Sequence, residues 1–474
     1  KIINMNTYYI DTKLGKDSNK GDIDNPFKTI RKFSNVCVPG DTCFIREGVY
    51  YETFTSSKSG EKDFPITYQS YQNEKVIISG TKIIDSEWKK LENGIYSTVL
   101  NSNLKSLGDG HNQLFFNKEM MIESRFPKIN NAFELKRENH ITSFNGGIIE
   151  EKQDTDNPSK VKVIAYYESN ELNDFEKNFF NDSYISFVPG KEWWGEVGKI
   201  IKSIPGRIEF EFTILKHKLI HSTPSENDIF YLWGNYNLLT DEKEWFFDTT
   251  GLEGDPYTLY FKPPGGTLEN KTVQLKRRNQ VFNLNDRSHI HVKNIEFFGS
   301  RIAMNSNSSY NIFDGITSEY GGHNQGISGW IAPPPIDIQG NNNQLINSRV
   351  GKTAGALTIA GNDHIIENNV FHDFGYVAAS VSGIQAKGNP YNIKISQNTI
   401  FNSGEIAISA TFKSSEITHN HIWNIGKQKT DIAAINAYNS GDVAGTEIAH
   451  NLIHDVWSYN DTAPHWGEIG RAHV

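Results

Sequence analysis

A short phrase repeats through the second half of the chain and limits what the chain can fold into. An aliphatic residue, two further residues, an Asn, one residue and a second aliphatic recur as "IENNVF", "ISQNTIF", "ITHNHIW" and "IAHNLIH". "LINSRV" is a weaker copy, with Ser348 in place of the Asn. A period of this size is typical of solenoids, in which each repeat packs only on its neighbours. We assign the recurring Asn to positions 368, 398, 420 and 451, which are 30, 22 and 31 residues apart.

A second phrase follows each copy of the first and alternates apolar with polar residues. Its copies are "RIAMNS", "PIDIQG", "ALTIAG", "GIQAKG", "AISATF" and "AINAYN". Alternation with a period of two predicts short strands with one buried face. Stacked about 4.8 Å apart, such strands form a parallel β-solenoid in which like residues line up along the axis. The recurring Asn is then expected to bond the backbone at a bend rather than to act in catalysis.

The alternation also predicts which side chains of the second phrase face inward and which face outward. The inward column is Ile302, Ile336, Leu357, Ile384, Ile408 and Ile435. The first outward column is Ala303, Asp337, Thr358, Gln385, Ser409 and Asn436, and the second is Asn305, Gln339, Ala360, Lys387, Thr411 and Tyr438. These small and polar side chains would form a strip that suits an extended polar chain, although a solvated sheet face would look the same. The inserted stretches "FGYVAASVS" and "GKQKTDIA" precede the second phrase and predict loops that overhang the strip as a cleft.

Charge and composition exclude several classes of partner. The net charge is −9 and no run of Lys or Arg stands out, which argues against nucleic acid and anionic membrane surfaces. No apolar run reaches the roughly 20 residues that span a bilayer, and we expect a monomer. Cys37 and Cys43 bracket a Pro-Gly turn and are predicted to form a disulfide in an oxidising compartment; two reduced, buried thiols are the alternative.

The first half of the chain resembles a known group of proteins. "NPFKTIRKF" reads as a short capping helix, and "TCFIREGVYYE", "PITYQSY" and "KVIISG" read as first solenoid strands. Together they resemble the N-terminal segment of right-handed parallel β-helix proteins of the pectate-lyase-like superfamily. "QLFFNKEMMIESRFPK" and "EWFFDTTGLEGDPYTLYFKPPGG" resemble segments of β-helix glycoside hydrolases, the group with α-L-fucosidase and xylanase members. The fold class this implies is all-β, a right-handed parallel β-helix with a β-rich insertion.

We divide the chain accordingly into an N-terminal cap with the first coils (1–94), a β-rich insertion (95–275) and the main coils (276–467). The last residues, "EIGRAHV" at 468–474, match the translation of a common sequencing adapter, so we expect them to be non-native read-through. In that case the chain is a fragment cut just before a second catalytic carboxylate. It opens without an initiator Met or a signal peptide, and the resemblance implies an extracellular or periplasmic protein.

The resemblance implies cleavage of a poly- or oligosaccharide by a pair of carboxylates. Asp431 in "KTDIAAINAYN" is the first catalytic candidate, because the phrase resembles an Asp-x-Gly-Ala-Ile-Tyr strand of the hydrolases, with Ala433 in place of the Gly. Asp373 in "FHDFG" is the second, although the same bend recurs in "IHDVW" and suggests a capping role. The residues expected to bind substrate are Asp337, Gln339, Gln385, Lys387, Asn436 and Tyr438.

Two other functions stay open on the sequence. "IQAKG" resembles the Lys-bearing strand of alginate- and chondroitin-type lyases, but the next strand offers Ser409 or Thr411 where those lyases carry Arg. Lys387 could instead act with Tyr438, or the strip could bind glycans without reacting, as in an adhesin. No cofactor and no metal are expected; His419 and His450 occupy like positions and could hold a metal, but a solvated ladder is preferred. Trp193 and Trp194 could be sugar platforms or packing residues.

Overall fold

The computed structural model describes residues 5–100, 107, 110–134, 136–251, 257–326, 332–355, 357–377, 382–429, 432–437 and 442–457, with the backbone of 467–468 and 471–472. Asp431 and Tyr438, two of the predicted site residues, lie outside the described residues.

Three parallel sheets run the length of the chain and form the predicted parallel β-helix. Sheet 1 consists of Thr7–Ile10, Thr42–Ile45, Ile66–Ser70, Ile290–Lys293, Ile312–Asp314, Gln344–Ile346, Ile365–Glu367, Lys394–Ser396, Glu416–Thr418 and Glu447–Ala449. Sheet 2 consists of Gly48–Tyr50, Val76–Ser79, Glu296–Phe298, Thr317–Glu319, Arg349–Thr353, Val370–Phe374, Thr399–Ser403, His421–Ile425 and Leu452–Val456. From Thr42–Ile45 onward, each coil contributes one strand to each of the three sheets.

Sheet 3 carries the second repeated phrase. It begins with Phe54–Thr55, Gln280–Asn283 and Arg301–Ala303, and a single bridge between Ile302 and Ile336 joins these to the rest. The remaining strands are Asp337–Ile338, Leu357–Ile359, Ile384–Ala386, Ile408–Ser409, Ile435–Ala437 and Arg471–Ala472, and a separate pair is formed by Ile432–Ala433 and Gly467–Glu468.

The predicted inward column is confirmed. Its six members are at most 4% exposed, and Ile384 pairs with Leu357 on one side and Ile408 on the other. They belong to one apolar core that continues from the first coils to the last. Burying each aliphatic side chain contributes about 1.5–3 kcal/mol, so the stack of aliphatic residues holds successive coils together.

An Asn ladder supports the bend between sheets 1 and 2, as predicted, but one member differs. The ladder residue in "IENNVF" is Asn369 and not Asn368. Asn369 donates from its amide to the Leu345 carbonyl and to Asn398 Oδ1. Asn368 has φ 56° and bonds Asn347 at the surface. The residue just before the ladder position has a left-handed backbone conformation, which Asn adopts readily. With Asn at both positions, the sequence alone did not show which of the two belongs to the ladder. From Asn369 the ladder continues through Asn398, Asn420 and Asn451.

The β-rich insertion forms mainly antiparallel sheets beside the coils. The largest contains Arg125–Phe126, Ile141–Thr142, Asn145–Gln153, Lys160–Glu168, Tyr184–Val188, Glu196–Ile204, Arg207–Leu215 and Ile229–Trp233, with its own apolar core. Two smaller sheets combine strands of the insertion with strands that precede residue 95. One consists of Lys89–Lys90, Tyr96–Val99, Ile122–Glu123, Glu244–Asp248 and Thr258–Phe261. The other consists of Thr81–Ile83, Leu114–Phe116, Glu119–Met120 and Val273–Lys276.

Helices are short. The α-helices are Ile30–Val36 and Lys216–Leu219, and 3₁₀ turns occur at Tyr71–Asn73, Glu92–Gly94, Arg137–Asn139, Asn170–Leu172, Tyr236–Leu238 and Pro264–Gly266. Ile30–Val36 is the predicted capping helix, and the Thr29 hydroxyl accepts from the Lys32 amide at its N-terminus. Within the described ranges, no helix is long and apolar enough to cross a membrane.

The predicted disulfide is wrong. Cys37 and Cys43 are both buried, and both are free thiols. Cys37 ends the capping helix, where its Sγ lies 3.4 Å from the Ser34 carbonyl and 3.4 Å from Ser56 Oγ, while Cys43 lies on a core strand. The alternative of two reduced thiols therefore holds, and the cysteines give no indication of an oxidising compartment.

Candidate active site

The outward strip of sheet 3 brings together most of the predicted substrate-binding residues. Strand register aligns Asp337, Thr358, Gln385, Ser409 and Asn436 in one column. Gln339 Nε2 donates to Asp337 Oδ2 over 2.9 Å, and Lys387 is exposed two residues beyond Gln385. The predicted alternation is therefore present. Lys387 is exposed and Asp337, Thr358 and Gln385 are partly exposed, whereas Ser409 and Asn436 are only 5% and 7% exposed.

Asp337 is the carboxylate of this strip. Burial raises its pKa, and the hydrogen bond from Gln339 and the charges of Arg301 and Lys387 oppose that shift. Arg301 Nη2 lies 3.9 Å from Asp337 Oδ2, while Asp337 Oδ1 is buried without a hydrogen bond in the described structure. Oδ1 is inaccessible to solvent, but the Asp337 side chain as a whole is 17% exposed, so a sugar hydroxyl that binds this carboxylate would donate to Oδ2.

Asp373 lies elsewhere, on the outer face of sheet 2. It has φ 51° and accepts hydrogen bonds from His372 Nδ1, over 2.8 Å, and from the Asn402 amide. Burial acts to raise the pKa of Asp373, but these hydrogen bonds and the charges of His372 and Lys352 outweigh it, so the pKa is lowered. The structure thus separates Asp373 from the strip and gives its carboxylate local partners; a catalytic role remains a prediction.

A second group of ionisable residues lies where the insertion meets the turns that lead into sheet 3. Glu405 and Lys429 form an ion pair in which the two side chains are 7% and 1% exposed. Burial raises the pKa of Glu405 to about 7, although Lys429 acts against this shift. Ser403 and Gly404 position the glutamate: Ser403 Oγ accepts from the Glu405 amide, and a Cβ on residue 404 would lie 2.4 Å from the Gly375 carbonyl oxygen.

Glu196 and Lys218 complete this group from the insertion. Burial raises the pKa of Glu196 to about 8, and the charges of Lys218 and Lys429 act against it. Burial also lowers the pKa of Lys218, with Glu196 opposing and Lys429 adding to the shift. Lys429 therefore interacts with a glutamate of the coils and a glutamate of the insertion. We call Glu196, Lys218, Glu405 and Lys429 the carboxylate–lysine cluster.

The surroundings of the cluster combine aromatic and polar groups. Lys218 Nζ lies 4.8 Å from the ring centre of Trp194, which packs edge-on against the partly exposed Trp193. On the side of the coils, His323 Nδ1 lies 2.6 Å from the Tyr376 hydroxyl, and Gln428 donates to the Tyr376 carbonyl. Tyr376 and His323 also line a small cavity together with Arg125, Tyr231 and Trp233 of the insertion.

This arrangement can carry acid–base chemistry. A carboxyl group that holds its proton near neutral pH can protonate a leaving group. The pKa values of Glu405 and Glu196 are both raised, so the cluster supplies acids, and an ionised base or nucleophile would come from a carboxylate outside it. Partly exposed tryptophans beside it suit the apolar face of a sugar ring. Among the described residues, no group of three or more His, Cys, Asp and Glu side chains could hold a metal ion.

The sequence reasoning missed Glu196 and Glu405. Their unusual protonation follows from burial at a contact between segments more than two hundred residues apart, which no local pattern reveals. One signal was present: in "NSGEIAIS" a Glu follows a Ser-Gly turn and directly precedes an apolar strand of the strip.

Comparison with known proteins supports the fold. No protein-family model matches the chain. A stretch of 75 residues is 40% identical to the uncharacterized protein YwoF of Bacillus subtilis (strain 168), which covers only 16% of this chain and 16% of that protein. A solved structure described as a glycoside hydrolase covers 94% of this chain and 96% of its own, with a TM-score of 0.59 and 13% identity. The structure of XylC with xylose has a TM-score of 0.47 and 15% identity, covering 94% of this chain and 65% of that one. At this level of identity the first likeness establishes the β-helix fold alone.

Proposed function

We propose that this protein is a secreted, carbohydrate-active enzyme that hydrolyses glycosidic bonds in a poly- or oligosaccharide. The observation that carries the proposal is Glu405, a buried carboxyl group that pairs with Lys429 and whose pKa is raised by burial to about 7. Glycoside hydrolysis needs one carboxyl group that holds its proton near neutral pH and a second that is ionised.

We assign the role of general acid to Glu405. Asp431 remains the proposed second carboxylate, since it follows Lys429 by two residues in the sequence. The strip then binds the sugar chain through Asp337, Gln339, Gln385, Lys387, Asn436 and Tyr438. Two findings support a carbohydrate ligand: the strip is polar over several successive coils, and Trp193 and Trp194 lie beside the cluster. The β-helix fold shared with a glycoside hydrolase structure is in keeping with this class.

A second candidate function is β-elimination by a polysaccharide lyase. The observation that favours it is Lys276, which is 1% exposed and whose pKa is lowered to about 7 by burial and by the charge of Arg301. A lysine with a pKa near neutrality can act as a general base. In this alternative Lys387 or Lys276 would abstract the proton and the strip would again bind the chain.

One assay separates the functions. The full chain is incubated with neutral and uronate-containing polysaccharides, and new reducing ends and ultraviolet absorbance are followed together. Hydrolysis produces reducing ends without absorbance, and elimination produces both because it forms a C=C bond. A glycan-binding protein without activity produces neither, yet retains affinity for an immobilised glycan. Absorbance that rises together with reducing ends would overturn the hydrolase proposal in favour of the lyase.

A further inference from the structure

Two histidines on the outer face of sheet 2 direct ring nitrogens at each other. His421 lies on the strand His421–Ile425 and His454 on the neighbouring strand Leu452–Val456, where His454 pairs with Trp423. The distance between His421 Nε2 and His454 Nε2 is 2.9 Å. The His454 side chain is 45% exposed, so the pair can be reached from solvent.

Asp455 fixes the orientation and the tautomer of His454. Its Oδ2 lies 2.8 Å from His454 Nδ1, because a left-handed φ of 51° turns the carboxylate back toward the preceding residue. A carboxylate only accepts, so Nδ1 must carry the proton and the neutral His454 ring has its lone pair on Nε2. The same geometry occurs at His372 and Asp373, again with 2.8 Å and φ 51°.

His421 can supply the second lone pair. Its ring packs against the Trp423 ring, with centres 4.3 Å apart, and its Nε2 faces His454 Nε2. In the metal-free protein His421 donates its Nε2 proton to the His454 lone pair. If the His421 proton occupies Nδ1 of the same ring instead, the Nε2 lone pairs of His421 and His454 are both free to bind a metal ion. This change of tautomer means that metal binding releases no net proton.

We propose that His421 and His454 form a two-histidine site for a divalent transition-metal ion, Cu²⁺ in preference to Ni²⁺ and Zn²⁺. Two nitrogen ligands about 2.0 Å from a metal and at right angles to each other are about 2.9 Å apart, which is the geometry of tetragonal Cu²⁺ and Ni²⁺. A tetrahedral ion requires roughly 3.3 Å between the nitrogens. Cu²⁺ also binds nitrogen sites most tightly among these ions, and water completes its coordination.

His419 and His450 show why the site lies at this pair. They are the histidines whose positions suggested a metal in the sequence, but their rings stack face to face, with centres 5.1 Å apart and planes at 27°. Lone pairs lie in the ring plane, so stacked rings do not direct them at a common point. Both residues are exposed and both lie at the bends before the same two strands, which makes them matched controls.

Trp423 provides a reporter of binding. Its ring centre lies 4.3 Å from that of His421 and 6.0 Å from that of His454. A paramagnetic Cu²⁺ ion between the two imidazoles is therefore expected to quench Trp423 fluorescence. Because the ligands belong to adjacent coils, binding also joins the coils, and a ligand that binds only the folded state raises the thermal midpoint.

The test is a titration of the full chain with CuCl₂ and NiCl₂, followed by calorimetry and tryptophan fluorescence. We expect His421→Ala and His454→Ala each to weaken Cu²⁺ binding at least about 10-fold, and Asp455→Asn to weaken it about 10- to 100-fold as an outer partner of a ligand. His419→Ala and His450→Ala should bind as the unchanged protein does. Trp423→Phe should remove the quenching but retain the calorimetric signal.

Thermal midpoints without metal identify a variant that is damaged in folding, and His421→Gln then serves as the gentler substitution. The proposal is overturned if His421→Ala and His454→Ala bind Cu²⁺ as the unchanged protein does. It is equally overturned if the His419→Ala control loses as much affinity as they do.

Discussion

Glu405 and Lys429 form an ion pair that is almost completely buried, with side-chain exposures of 7% and 1%. They come from the turns after two neighbouring strands of sheet 2, Thr399–Ser403 and His421–Ile425. Burial raises the pKa of Glu405 to about 7 even beside a lysine. The carboxyl group therefore exchanges its proton near neutral pH, which is where a general acid is effective.

The first prediction concerns the pH dependence of activity. If Glu405 donates the proton, kcat/KM for a hydrolysed sugar is constant below about pH 7 and falls above it, as the acid is lost. The measurement is kcat/KM between about pH 5 and about pH 9, at constant ionic strength. A profile without a falling limb in this range would show that Glu405 does not act as the acid.

The second prediction concerns stability and Glu196. The pKa of Glu196 is about 8 in the folded protein, against the ordinary 4.5. Between these values the folded state holds a proton that the unfolded state has lost, so this residue's contribution to the free energy of unfolding falls as pH rises. Glu196→Gln removes that contribution, and the variant should gain stability relative to the unchanged protein from about pH 5 to about pH 8.

Urea unfolding of both proteins across this range measures the difference. The difference should stop growing above about pH 8, where both states are ionised. Glu209→Gln serves as a control, because Glu209 lies on a neighbouring strand of the same sheet and pairs with Lys202 and Arg207 near the surface. A difference for Glu196→Gln that is independent of pH would contradict the raised pKa.

The third prediction tests the Asn ladder. Asn398 is 1% exposed, donates from its amide to the Ile366 carbonyl and to Asn420 Oδ1, and accepts from the Asn369 backbone. Asn398→Ala leaves buried groups without partners, at about 1–3 kcal/mol each. We expect the free energy of unfolding to fall by roughly 3 kcal/mol, measured by urea denaturation. The exposed neighbour Gln397, changed to Ala, should shift it by less than about 0.5 kcal/mol.

The fourth prediction tests the strip. Asp337→Ala removes an acceptor for a sugar hydroxyl and should raise KM about 10-fold or more, with a small effect on kcat, since a hydrogen bond to a charged group contributes about 1.5–3 kcal/mol. Asp314→Ala is the control, because Asp314 is an outward carboxylate of sheet 1 that accepts from the Asn347 amide. Equal KM values for the two variants would exclude Asp337 from binding.

The fold followed from the sequence because its determinants repeat. Ile384, Ile408 and Ile435 recur with alternating polar residues, and only strands stacked in register bury all three. The strip was predictable for the same reason, because Gln385, Ser409 and Asn436 alternate with them. The error at Asn368 arose from two consecutive Asn residues, both compatible with the bend.

The carboxylate–lysine cluster could not be predicted in the same way. Burial and the neighbouring Lys429 set the pKa of Glu405. Lys429 in turn interacts with Glu196 and Lys218 of the insertion, and neither of these two has a counterpart in the repeat. The predicted disulfide failed for a related reason. The disulfide was predicted because Cys37 and Cys43 are close in sequence. In the structure the capping helix directs the Cys37 thiol toward Ser34 and Ser56 instead.

The most direct test of the proposed function compares Glu405→Gln with Glu367→Gln on a polysaccharide that the protein cleaves. Glu367 also pairs with a lysine, Lys394, but its side chain is 29% exposed on the outer face of sheet 1. The proposed role predicts that release of reducing ends falls about 10²- to 10⁴-fold in Glu405→Gln and stays unchanged in Glu367→Gln. Undiminished hydrolysis by a folded Glu405→Gln variant would contradict it.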